Sequence, residues 1–144
     1  MKKIIFILLI LNSSFVLADQ KDSRLNSLFD ELFLSNDNMQ ASTILADIWD
    51  IWSIAENVEA QKIFDEGNKM MDRGSLEEAI ALFTQVIDIK PDFAEGWNKR
   101  ATVLFLKGEL EASILDIQKT LELEPRHFGA LDGLAEIYLI QDDL

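Results

Sequence analysis

The chain contains two prolines, Pro91 and Pro125, 34 residues apart. Related stretches run around them, "IKPDFAEGWNKRA" at 89–101 and "LEPRHFGALDGLA" at 123–135. Each opens on an aliphatic residue, a charge and a proline. Each closes on an alanine four residues after a large apolar side chain, Trp97 or Leu131. Laid over each other without gaps, residues 60–93 and 94–127 put Ile63 on Trp97, Gly67 on Ala101, Met70 on Leu104 and Gly74 on Gly108. Ile80 falls on Ile114, Phe83 on Ile117 and Ile87 on Leu121. A self-similar period of this length marks stacked helical units, each burying its apolar face only against its neighbours.

Each unit reads as helix, turn, helix. Gly74 and Gly108 stand between two apolar-periodic runs, where a helix ends and positive φ is useful. Pro91 and Pro125 stop the second helix, because proline lacks a backbone donor and disfavours helix in the residue before it. Small residues at Gly67, Ala101 and Ala135 let neighbouring helices approach closely.

Upstream, Leu25, Leu28, Phe29, Leu32 and Phe33 follow the spacing of one helix face. "SNDN" at 35–38 breaks the pattern with turn-forming residues. A second stripe follows, with Ile44, Leu45, Ile48, Trp49, Ile51, Trp52 and Ala55. The spacing predicts an antiparallel helical hairpin over 23–55, with both tryptophans in its core rather than offered to a ligand. The predicted organisation is a leader at 1–18, a hairpin region at 19–59, full units at 60–93 and 94–127, and the first helix of a third at 128–144.

The leader reads from "MKKIIFILLILNSSFVLADQ": two lysines, an apolar run from Ile4 to Leu11, then "FVLA" with Val16 and Ala18 in the small-residue slots. That order is a secretory signal, expected to be cleaved after Ala18. The apolar run is far shorter than the ~20 residues that span a bilayer. Its style is bacterial and implies periplasm or secretion, with no stable membrane anchor after cleavage. The whole chain has 13 basic and 26 acidic residues, net −13. Removing the leader's two lysines makes the balance more acidic still. Such a chain is poorly suited to phosphate backbones or anionic lipid, so neither nucleic acid nor membrane is the expected partner. A protein or peptide is.

The chain resembles the tetratricopeptide repeats. The first unit carries their pattern at Ile63, Gly67, Met70, Ala79, Phe83 and Pro91, with Glu66 in a slot usually apolar. The second carries it at Trp97, Ala101, Leu104 and Pro125, with Arg100, Ser113 and Ile117 departing. The third opens with Leu131, Leu134, Ala135 and Tyr138. The segment "WNKRA" followed by "LEPRHFGAL" is similar to a group of bacterial envelope repeat proteins that carry a signal peptide and a tryptophan-containing helical lead-in. The resemblance implies an all-α, right-handed helical-repeat solenoid whose first helices line a concave, partner-binding side. By the same resemblance the groove positions are Phe64, Asn68, Met71 and Asp72, then Asn98, Thr102, Phe105 and Leu106, then Asp132, Glu136, Leu139 and Ile140. Amides at Asn68 and Asn98 suit a peptide backbone, and Phe64, Met71 and Phe105 suit apolar side chains. A basic clamp for a C-terminal carboxylate is not expected, since Phe64 stands where its lysine would be.

Catalysis is not expected, and no cofactor is. Cysteine is absent and His127 is the single histidine, which removes thiolate chemistry and a good zinc site. No glycine-rich phosphate loop or Gly-x-Ser-x-Gly elbow occurs. The acid pairs Glu77/Glu78 and Glu122/Glu124 read as solvated helix faces rather than general acid and base, which leaves a hydrolase the weakest alternative. His127 reads as a turn residue making a local hydrogen bond. The expected function is an exported adaptor or assembly factor, the alternative a noncatalytic subunit of an envelope enzyme or transport complex. The last helix is apolar nearly all round, so the array continues past it, or that face meets a second copy or a partner.

Overall fold

The computed structural model describes residues 20–142; the expected leader at 1–18 lies outside them. The described residues form seven α-helices and no strands. These are α1 (Arg24–Leu34), α2 (Asn38–Trp52), α3 (Val58–Asp72), α4 (Leu76–Ile89), α5 (Ala94–Leu106), α6 (Leu110–Leu123) and α7 (Phe128–Asp142). Consecutive helices pack in the order α3 on α4, α4 on α5, α5 on α6, and α7 on α6 and α5.

The turns inside the two full units share one chemistry. Gly74 and Gly108 take φ of 75° and 80°, the left-handed region open to glycine at little cost. The amide of the residue after each glycine reaches five residues back, Ser75 to Met70 O and Glu109 to Leu104 O. The glycine amides bond Met71 O and Phe105 O, closing the helix end in a Schellman motif. The prolines act one residue earlier than their own position. Lys90 and Glu124, each preceding proline, leave the helical region with φ of −134° and −137°.

Gly67 faces the Phe83 ring, and a Cβ built there would sit 2.7 Å from Cε1. Phe83, Phe64 and Phe93 share the core of the first unit with Ala60, Ala79 and Val86. Ser113, which departs from the family pattern, is fully buried in the slot that Ala79 fills one unit earlier. Its hydroxyl donates to Ala101 O at 2.8 Å, so the extra polar atom is satisfied within the helix pair. Arg100 is likewise accommodated: it forks onto Asp116 at 2.7 and 2.8 Å, donates to Thr84, and lies against the Trp97 ring. That ion pair ties α4, α5 and α6 together where an apolar residue would have packed.

The hairpin does more than precede the array. Trp52 and Trp49 share a core with Leu25, Ile48 and Phe128, so α2 packs against the start of α7. The residues before α1 fasten to the first proline junction. Gln20 bonds Asp92 O and accepts from Ala94 N, and Lys21 pairs with Asp92 at 2.8 Å. Asn26 and the Phe29 ring hold Arg126 at the second junction. One hairpin region thus spans both proline junctions.

Two consequences are measurable. Gly67→Ala should lower unfolding stability by about 1–3 kcal/mol, because the added methyl displaces an enclosed ring. Gly133→Ala, whose Cβ meets only Ile117 Cδ1 at 3.7 Å, should be neutral or gain up to ~1 kcal/mol of helix propensity. Urea titration separates them. The second concerns Asp92, whose carboxyl is pulled down to about 2 by hydrogen bonds from Lys21 and then Lys90. Its depressed folded value stabilises the chain above the ordinary carboxylate range, and that contribution is lost as pH falls from about 4 through about 2. Asp92 and Lys21 are nearly half exposed, so the effect stays below ~1 kcal/mol. The stability gap between the wild type and Asp92→Asn should be constant above pH 5 and close by pH 2.

Candidate functional site

The site is built around the first turn of α5. Glu95 falls there because the chain turns helical directly after Phe93, and it is 1% exposed. An acid in the first helical turn faces the unpaired amides and the positive end of the helix dipole. Three side chains complete its surroundings. His127 Nε2 lies 2.8 Å from Oε2, Asn98 Nδ2 donates to Oε2 at 3.0 Å, and Lys99 Nζ stands 3.5 Å from Oε1. His127 is itself the N-cap of α7: its Nδ1 accepts from Ala130 N at 3.2 Å. That bond places the ring proton on Nε2, aimed at Glu95. Trp52 stacks on the same imidazole, with ring centroids 4.3 Å apart and planes 12° from parallel.

Asn98 is 7% exposed and has a second role. It begins a face of α5 that continues through Thr102, one helical turn on, and Phe105. These residues line a cavity of about 170 Å³ between α5, α6 and α7. Asn98, Thr102 and Phe105 form one wall, and Gly133, Asp132 and Glu136 the other. Ala101, Ser113, Ile117, Gly129 and Ile137 complete it. Gly133 opens the cavity, since a larger residue there would project toward Ile117. Gly129 gives α2 its close approach, with its missing Cβ 2.7 Å from Trp49 Cη2.

Of the groove residues expected from sequence, the cavity gathers Asn98, Thr102, Phe105, Asp132 and Glu136. The first-unit set does not join it. Phe64 is a correction: it is 2% exposed, packed edge-on against Phe83 and Phe93, and a ligand cannot reach it. Met71 is half-buried against that same core, Asn68 is half-buried, and Asp72 is exposed at the end of α3. Leu106, Leu139 and Ile140 are exposed without lining the cavity. Leu131, Ala135 and Tyr138 are exposed too; no described helix covers that face of α7. Glu124 is a second correction. It is 2% exposed rather than solvated, forked onto Arg126 at 2.9 and 3.0 Å.

Sequence reasoning missed Glu95 altogether and missed Gly129 and Gly133 as cavity walls. A glutamate three residues before an asparagine, in the first turn of a helix, was the available signal.

Stacked helix pairs with a lined cavity between them define a helical-repeat binding scaffold. Residues 67–108 match the family model for the TPR repeat. A TPR repeat-containing protein of Rhizobium etli is 36% identical over 114 residues, covering 79% of this chain and 56% of that protein. A TPR repeat-containing thioredoxin of Arabidopsis thaliana is 28% identical over 85 residues, covering 59% of this chain and 12% of the relative. DnaJ homolog subfamily C member 3 of Bos taurus is 31% identical over 68 residues, covering 47% and 14%. The chain thus carries the TPR repeat, and it spans about half the length of the Rhizobium relative and far less of the other two. The family supports a role in protein–protein interaction.

Glu95→Ala should cost about 3 kcal/mol, because it strands the buried His127 and Asn98 donors. Glu95→Gln, which keeps an acceptor, should cost less; equal losses in chemical denaturation at neutral pH would mean that the acceptor is not what matters.

Proposed function

We propose that this protein is an exported adaptor or assembly factor of the cell envelope that holds a peptide or helix of a protein partner. The cavity between α5, α6 and α7 is its seat. One observation carries the reading: five of the expected groove residues from two successive units line one half-open cavity. Concavity matters because a side chain seated there sheds more water than one lying on a flat helix face. Export rests on the leader sequence, with its charged start, short apolar run and small-residue cut site.

A second reading, a noncatalytic subunit of an envelope enzyme or transport complex, draws on α7. Leu131, Tyr138, Leu139 and Ile140 are 38–68% exposed along one helix. A permanent neighbour would cover such a face.

A photo-crosslinking residue at Thr102, exposed at the cavity mouth, should yield a discrete protein adduct in the native envelope. The same residue at Gln118, exposed on α6, should not. Adding Gly133→Leu, which fills the cavity, should remove the adduct while the helical signal in circular dichroism is kept. Matching adducts from both positions, or an adduct indifferent to Gly133→Leu, would overturn the assignment.

A further inference from the structure

The charge around the cavity has one sign. Asn98 spends one Nδ2 hydrogen on Glu95 and keeps the other together with Oδ1. The amide cannot be turned over, because the oxygen would then face a carboxylate. Thr102 donates its hydroxyl hydrogen to Asn98 O at 2.9 Å and keeps only lone pairs. Ser113 does the same toward Ala101 O. Asp132 and Glu136, one helical turn apart and exposed on α7, accept only. None of the lining residues is basic. Among the lining side chains Asp132 and Glu136 carry negative charge and none carries positive charge, above a floor of Phe105, Ile117 and Ile137.

A carboxylate or a phosphate would meet two carboxylates and no balancing positive charge there. An arginine or lysine side chain would be attracted by the same two carboxylates. Its head carries donors only, and its aliphatic stem fits an apolar floor. We infer that the cavity takes a basic side chain, arginine or lysine, presented by a peptide segment of the protein partner. This rests on the cavity being the binding site and adds the chemistry of what enters it. The net charge of −13 favours such a segment at longer range.

The test is affinity selection of random dodecapeptides on the full chain, at low and at physiological salt. Recovered sequences should carry one arginine or lysine beside apolar residues. Changing that residue to glutamine should weaken binding about tenfold or more, as expected for losing a charge-assisted hydrogen bond. Asp132→Asn with Glu136→Gln changes two exposed side chains, should leave the fold intact, and should bring a similar loss. Peptides that bind, lose binding on Gly133→Leu, and show no basic preference would overturn the inference while leaving the groove reading standing. Peptides indifferent to Gly133→Leu, or none recovered, would overturn both. Spermidine competing as strongly as the best peptide would contradict a peptide source for the cation.

Discussion

One buried carboxylate organises this molecule. Glu95 sits where the second repeat begins, out of water, and an acid there is costly unless donors surround it. Asn98 on its own helix donates to it, Lys99 adds an ion pair, and His127 reaches it from the last position of the same unit, at the start of the next helix. Because His127 also caps α7 and stacks on Trp52, the carboxylate joins the second unit, the third unit and the hairpin at one point. Because Asn98 is fixed by the same oxygen, the inner polar wall of the cavity is set there as well. Fold and site are thus linked through hydrogen bonds rather than through the apolar layers alone.

The apolar layers still provide most of the stacking, and they were the part legible in the sequence. Gly74, Gly108, Pro91 and Pro125 mark helix ends because their backbone chemistry is local. The stripes through Ile80, Phe83 and Ile87 and through Ile114, Ile117 and Leu121 mark helix faces because burial imposes a period. Neither kind of signal needs knowledge of what lies across the interface. Phe64 shows the limit. It stands one position from Ile63, and a helix turns by about 100° per residue. Positions carried over from a family pattern therefore assign a side chain to groove or core only as well as the helix rotation is known. The structure turns Phe64 inward, toward Phe83 and Phe93.

Long-range polar contacts were not legible for a different reason. Glu95 finds His127 across 32 residues, Arg100 finds Asp116 across 16, and Gln20 reaches Ala94 across 74. Charge patterning treats such residues as solvent-facing, since a charge is usually exposed and its partner leaves no periodic trace. Glu124, buried beside Arg126, is a case whose partner lies close by in sequence. The hairpin escaped for the same reason. Its helices were readable from their stripes, but its attachment to both proline junctions depends on single contacts at Asp92, Arg126 and His127. In the cavity, Asp132 and Glu136 were visible as groove positions, whereas the side chains that share the cavity with them emerged only from how α5, α6 and α7 pack.

His127 is the only histidine in the chain, so its ring gives a single unambiguous signal. Nitrogen-15 NMR of that imidazole reads directly which nitrogen carries the proton and how fast it exchanges with water. The expected result is a proton on Nε2, protected from exchange and showing contact to the Trp52 ring. A proton on Nδ1, or a ring in free exchange with solvent, would mean that Glu95 does not join the units, and the central link would fail.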